Sequence, residues 1–205
     1  SPLGTVNWPK HGMEDETEEA RYDRQVKQGR PCYGVDMKIV NDDNETLPED
    51  GEAFGELKVR GFWVCSQYYK GEGDSHDDDG WFATGDMGCL QPDGRLRLMG
   101  RRRETINRSG LKILPAEVER ELCRHPSVFE CAVVAASDKE YGEVPWAFVQ
   151  LQPDHSLSSK ALVIHLRNQG IANYKTPVRF IAVDSFPRVA DNKIDKKRLM
   201  ETVSI

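Results

Sequence analysis

Apolar and polar residues alternate through Val35-Asp36-Met37-Lys38-Ile39-Val40 and again through Gly55-Glu56-Leu57-Lys58-Val59-Arg60-Gly61. A period of two over six or seven residues predicts half-buried strands. Asn41-Asp42-Asp43-Asn44 supplies turn chemistry after the first. Leu90-Gln91-Pro92-Asp93-Gly94-Arg95-Leu96 places Asp-Gly between apolar positions, a strong hairpin signal. The first half of the chain is therefore expected to be hairpin-rich. The first 30 residues show neither period and are expected to be poorly structured in isolation. Their acidic run, Glu14-Asp15-Glu16-Thr17-Glu18-Glu19, reads as a solvated turn or a helix start.

The pattern changes after Gly100. Pro115 stands where a first helical residue belongs, and Ala116-Glu117-Val118-Glu119-Arg120-Glu121-Leu122 continues as a short amphipathic helix. Strands are predicted at 131–136, 144–151 and 178–184. A helix is predicted at about 157–169, stopped by Gly170 as a C-terminal cap, and a short basic helix near 196–203. The expected fold class is α+β, with a β-rich unit over 1–100 followed by a small α+β domain over 101–205.

The 205 residues are 38% hydrophobic and 30% charged, which fits a globular chain with polar loops. No run approaches the ~20 apolar residues that span a bilayer, and Ser1-Pro2-Leu3-Gly4 lacks a signal-peptide layout. The formal net charge of −6 hides an asymmetry: residues 1–100 carry 11 basic and 21 acidic side chains, residues 101–205 carry 17 and 13. The second part thus suits an anionic ligand, but no strongly basic stripe argues for nucleic acid. The five cysteines, Cys32, Cys65, Cys89, Cys123 and Cys131, are odd in number and lack a C-x-x-C. Four lie among apolar or aromatic neighbours, so buried free thiols in a reducing, cytoplasmic setting are expected.

Several local patterns are weak. Ser75-His76-Asp77-Asp78-Asp79-Gly80 half-matches a calcium loop, but its first ligand is Ser and its twelfth is Asp86 rather than Glu. A solvated acidic loop is the simpler reading. Neither standard phosphate-binding glycine motif is present, and no His stands at metal-ligand spacing.

Ordered segments carry more information. They are Gly55–Gly61 with Tyr68-Tyr69; Gly80-Trp81-Phe82-Ala83-Thr84-Gly85-Asp86; Gly100–Gly110 running to Pro115-Ala116-Glu117-Val118-Glu119; Tyr174-Lys175-Thr176-Pro177; and Pro187 through Asn192-Lys193 to Lys196. In this order and spacing they resemble the adenylate-forming superfamily of acyl- and aryl-CoA ligases, peptide-synthetase adenylation domains and luciferases. The resemblance covers essentially the whole chain. It implies similarity to the C-terminal third of such an enzyme: the last subdomain of the large domain, then the small mobile lid domain. The family's phosphate loop and Thr-Glu motif would lie upstream, so the 205 residues alone are expected to be inactive.

The resemblance also implies roles. Asp86 would accept hydrogen bonds from a ribose diol, each worth about 1.5–3 kcal/mol to a charged acceptor. Arg101 would reach ribose or phosphate. Lys193 would be the catalytic residue of acyl-adenylate formation: an ammonium at ~4 Å contributes roughly 4 kcal/mol at an effective dielectric near 20, about a thousandfold in rate. The family places Gly before this lysine, and here it is Asn192, which tolerates the left-handed conformation. Arg103 falls at the hinge, where Asp or Lys is usual. Ser109 and Gly110 would line the pantetheine passage, and Lys112 would meet a CoA phosphate. Plainer readings remain: an Asp capping its own turn, a surface arginine, a lysine in a basic tail, and a tight turn between strands.

The activity implied is AMP-forming ligation of a carboxylic acid to CoA, with a fatty-acyl or related acid. ATP and CoA are the partners, and Mg2+ accompanies ATP through a ligand expected upstream. Alternatives are an adenylation domain that loads a carrier protein, and a noncatalytic nucleotide- or CoA-binding module. Exposed apolar faces leave homo-oligomerisation open.

Overall fold

The computed structural model describes residues 4–9, 15–67 and 76–203. Tyr68, Tyr69 and Ser75 lie outside the described residues. The chain divides into two compact units, Ser1–Arg102 and Arg103–Ile205. Both mix strands with a few helices, an α+β fold.

The first unit holds β1 (Thr5–Val6), α1 (Glu18–Gln25), β2 (Arg30–Pro31), β3 (Val35–Val40), β4 (Gly55–Gly61), β5 (Phe82–Leu90) and β6 (Leu96–Arg101). Strands β3 to β6 pair with their neighbours in an antiparallel four-stranded sheet. Its alternating apolar residues meet across strands: Ile39 opposes Leu57, and Leu90 opposes Leu96. These four form the buried core of the unit. The Asp93-Gly94 turn joins β5 to β6 with Gly94 at φ +77°, the left-handed conformation that Asp-Gly turns require.

The described part of the first 30 residues, 4–9 and 15–30, is ordered within the unit. Thr17 caps α1 by accepting from the Ala20 N–H at 3.3 Å. The segment is then strapped to β6: Gln28 N–H donates to Leu96 O and Leu96 N–H to Gly29 O, both at 2.8 Å. Gly29 has φ +93°, and a Cβ there would stand 2.0 Å from Val6 O. The ordering comes from partners some 70 residues away, which local periodicity does not reveal.

The second unit contains β7 (Ile106–Arg108), β8 (Leu111–Ile113), α2 (Pro115–Cys123), β9 (Val128–Asp138), β10 (Gly142–Leu151), α3 (Ser159–Asn168), β11 (Arg179–Ala182) and α4 (Lys196–Val203). Strand β10 is central, antiparallel to β9 and parallel to β11, and it meets β7 where Gly142 pairs with Arg108. One layer packs Val118, Leu122, Leu162 and Leu166 of α2 and α3 against Val133 and Val149. The other packs Leu199 and Val203 of α4 against Val134 and Phe148. Strand β9 is covered on both faces, which explains its unbroken apolar run. Ser158 caps α3, and Gly170 at φ +81° ends it, with Ile171 N–H reaching back to Leu166 O at 3.0 Å.

All five cysteines are free, but only Cys89 and Cys131 are buried. Cys32 and Cys65 are half-buried and Cys123 is exposed, so the expectation of buried thiols fails for most of them. Cys123 is the last residue of α2 and is exposed, between Leu122 and Arg124.

Candidate functional site

Asp86 was expected to close a turn, but it lies inside a strand. Opposite Leu57, β5 carries three residues, Thr84, Gly85 and Asp86, between the pairs Lys58–Ala83 and Glu56–Met87. This enlarged bulge needs Gly85 at φ +72°. Thr84 pins it: its hydroxyl donates to Leu57 O at 2.9 Å and accepts the Asp86 N–H at 3.1 Å. The bulge re-aims Asp86 toward the end of β6, where Arg101 is its cross-strand partner. Arg101 Nη1 lies 2.7 Å from Asp86 Oδ1. Burial raises the carboxyl above its ordinary value, while Arg101 and the Thr84 hydroxyl work against that rise. An apolar cleft of about 270 Å³, lined by Met37, Leu57, Val59, Phe82 and Leu98, opens beside Thr84. The pair offers a carboxylate for hydroxyl donors and, with its guanidinium half-exposed, a cation for an anionic group.

Arg103 sits in the middle of a 3-10 turn, Arg102–Glu104, where the two units divide. It is exposed, and both neighbours are anchored. Arg102 pairs with the buried Glu56 of the first unit. Glu104 Oε2 lies 2.9 Å from Lys196 Nζ in the second.

Ser109 and Gly110 form the two-residue loop of the β7–β8 hairpin, since Arg108 pairs with Leu111. Both have positive φ, +49° and +86°, the requirement of a type I′ turn. Ser109 N–H donates to Tyr141 O at 2.9 Å and Gly110 N–H to Asn107 Oδ1 at 2.8 Å. The tip therefore presents small, hydrogen-bonded backbone rather than unmet donors. A Cβ on Gly110 would meet nothing within 4 Å, so φ alone requires glycine within this unit. Lys112 is partly exposed on β8, across from Asn107. The sequence did not announce the bracing of this hairpin. Arg108 Nη1 donates to Tyr174 O at 2.9 Å, its guanidinium stacks 4.5 Å over the Tyr141 ring, and Glu143 accepts the Asn107 N–H at 2.7 Å.

Lys193 occupies a separate turn. Val189 N–H donates to Lys193 O at 2.9 Å, and Asn192 N–H to Val189 O at 3.0 Å. Asn192 takes φ +58°, the left-handed conformation glycine would adopt freely. Arg188 braces the turn by donating to Asn192 O at 2.7 Å and pairing with Glu130. The Lys193 side chain is 77% exposed, with Asp191 only a loose neighbour at 3.9 Å. A fixed backbone thus carries an ammonium in solvent.

Lys196, which sequence grouped with a basic tail, is instead half-buried and paired. Its Nζ lies 2.9 Å from Glu104 and 2.8 Å from Glu119. Glu119 Oε1 also accepts the Val133 N–H at 2.7 Å, so one carboxylate joins α2, β9 and α4. Burial alone would lower the Lys196 pKa, but the two carboxylates outweigh it and the pKa ends above its ordinary value.

The calcium-like loop supplies no metal site among the described residues. Asp77 is engaged instead: Lys58 Nζ lies 2.8 Å from one oxygen and the Trp81 N–H 2.8 Å from the other. No helix of the described residues is long and apolar enough to cross a membrane.

Residues 117–193 match the AMP-binding enzyme C-terminal domain. The chain is 35% identical over 201 residues to a medium-chain-fatty-acid–CoA ligase of Ectopseudomonas oleovorans, covering 98% of this chain and 37% of that protein. It is 38% identical over 181 residues to a 2-succinylbenzoate–CoA ligase of Bacillus velezensis, covering 84% and 35%. The Bacillus subtilis o-succinylbenzoate CoA synthetase, solved with its acyl-adenylate intermediate, superposes at a TM-score of 0.79 with 32% identity, over 89% of this chain and 37% of that one. The chain thus spans little more than a third of the length of these relatives. Taken with the bulged Asp86–Arg101 pair, the Ser109-Gly110 hairpin and the braced Lys193 turn, these matches place the chain in the adenylate-forming superfamily, with an AMP-binding enzyme C-terminal domain in its second unit.

Proposed function

We propose that this chain works as the C-terminal part of an AMP-forming carboxylic acid–CoA ligase. A carboxylate oxygen attacks the α-phosphorus of ATP, pyrophosphate leaves, and the CoA thiol then displaces AMP from the acyl-adenylate. The observation that carries this reading is Lys193: it closes the matched domain, its backbone is fixed by a braced turn, and its ammonium is in solvent. It stabilises charge that builds on the oxygens of the first transition state. Asp86 and Arg101 hold the ribose and its phosphate, Arg103 is the pivot, and Ser109, Gly110 and Lys112 face CoA. Magnesium accompanies the phosphates of ATP, and no step is assigned to it here. These 205 residues hold neither standard phosphate-binding glycine motif, and on their own they bind without turnover. A fatty-acyl or related acid is the substrate class, supported by the medium-chain relative, and the cytoplasm, where ATP and CoA are abundant, is the compartment. CoA rather than a carrier-protein thiol is favoured because both ligases named above act with CoA.

The test is Lys193→Ala in the enzyme that contains this chain. Pyrophosphate release from acid and ATP should fall about a thousandfold, while thioester formation from supplied acyl-adenylate stays within a few-fold. Equal loss in both steps, or in neither, sinks the assignment.

A further inference from the structure

Cys123 and Cys131 lie eight residues apart in sequence, on the last turn of α2 and on β9, with their sulfurs 3.5 Å apart. Cys123 is exposed, whereas Cys131 is buried in the core beneath α2 and α3. Cys131 Sγ also stands 3.5 Å from Glu119 O, the competing acceptor for its single proton. One sulfur therefore meets solvent and the second waits behind it. No role in the ligase chemistry touches either residue.

We propose that Cys123 and Cys131 form a hydroperoxide-sensitive dithiol that closes reversibly to a disulfide. In the first step the Cys123 thiolate attacks the outer oxygen of a hydroperoxide. An S–O bond forms, the O–O bond breaks, and the alkoxide or hydroxide takes a proton and leaves as alcohol or water. Cys123, oxidised by two electrons, is now a sulfenic acid. Cys131 then attacks Cys123 Sγ: an S–S bond forms, the S–O bond breaks, and hydroxide departs as water with the Cys131 proton. Two thiols and one hydroperoxide become a disulfide, an alcohol and a water. A thiol reductant reverses the change by exchange.

The environments assign the order. Hydrogen bonding from Cys131 lowers the Cys123 pKa to about 7, against the opposing effects of burial and of the Glu119 and Glu130 charges. Its bond to Cys123, together with burial, pushes the Cys131 thiol up. The exposed sulfur is thus the nucleophile and the buried one resolves it. An ordinary thiol near 8.5 is only a few per cent ionised at pH 7.

The test treats the native, fully reduced protein with one equivalent of hydrogen peroxide at pH 7, alkylates the remaining thiols and maps the peptides. The expected product is a 123–131 linked peptide lighter by two hydrogens, restored by dithiothreitol, with Cys123 consumed about tenfold faster than Cys32 or Cys65. Cys131→Ala should leave Cys123 as a sulfenic acid that dimedone traps. Cys123→Ser, at an exposed position, should leave Cys131 reduced under the same dose. If Cys131→Ala does not fold, the wild-type map and Cys123→Ser still decide. Cys123 found as sulfinic acid beside a free Cys131, a Cys123–Cys123 link between two molecules, or reaction no faster than at Cys32 overturns the proposal.

Discussion

Replacing Lys196 by methionine should cost far more than its place in a run of basic residues implies. The ammonium is about one-fifth exposed and lies within 3 Å of two carboxylates, Glu104 at 2.9 Å and Glu119 at 2.8 Å. Methionine keeps most of the stem's apolar packing, so the change isolates the charge. Removing one partner from a buried ion pair costs about 3–5 kcal/mol, because the remaining charge is left without compensation. Glu104 is 31% exposed and Glu119 keeps the Val133 N–H, so water and that bond relieve part of the burden. The low end, about 3 kcal/mol, is the expected loss. Amide hydrogen exchange in β9 and β10 reports the stability of the second unit alone, and 3 kcal/mol there is roughly a 150-fold loss of protection. Lys196→Met with Glu119→Gln should recover part of it, since one stranded charge is gone. The pH dependence has a defined sign. A lysine whose folded pKa is raised stabilises fully below its unfolded value, near 10.4. That stabilisation is lost as pH rises through the folded value. The gap between wild type and Lys196→Met should therefore stay level from pH 6 to 9 and close only above about 10.4. Less than tenfold loss of protection, or a gap that closes on the acid side of neutrality, would refute this account of the network.

Asp86→Asn should not destabilise the first unit near neutral pH, because burial penalises its carboxylate more than Arg101 helps it; a marked fall in melting temperature would contradict this. The same variant should weaken AMP binding roughly 10- to 150-fold, as expected for loss of charged hydrogen bonds, measured by calorimetry. Gly110→Ala should cost about 1–2 kcal/mol from backbone strain alone, since the space for a methyl is open; denaturant unfolding measures it. Asn192→Gly should be neutral within about 0.5 kcal/mol, whereas Asn192→Val should lose about 1–2 kcal/mol at φ +58°. Equal stabilities for the two would show that the turn is not held left-handed in solution.

Much of the fold is legible because it is local. Val35–Val40 and Gly55–Gly61 form strands where their alternation predicts them, although β4 also buries Glu56 and Lys58; Pro115 opens α2, and Lys196–Val203 forms the final helix. The prediction for β9, residues 131–136, is short by three residues at the start and two at the end. At the end, Ser137 and Asp138 are polar and are held by pairing with β10; at the start, Val128 pairs with Leu151 across a register shift, which breaks the simple alternation. Motif order pointed to Asp86 and Lys193, but not to their settings. The bulge that aims Asp86 depends on a Thr84 bond to β4, 27 residues away. The pairing of Lys196 reaches Glu104, 92 residues away, so no local window distinguishes it from Lys197.

The two ion pairs that flank Arg103 have a kinematic consequence. Arg102 is tied to Glu56 within the first unit and Glu104 to Lys196 within the second, so each side of Arg103 is anchored to its own unit. Only the backbone torsions at and beside Arg103 remain to turn. On the proposed role of Arg103 as pivot, a joint of this kind would pass on rotation more than translation, a swivel rather than a tether. Releasing the Arg102–Glu56 pair would add the torsions of another residue and turn a directed motion into a diffusive one. The length of a linker is usually counted in residues; here it is set by where the charges on either side take hold.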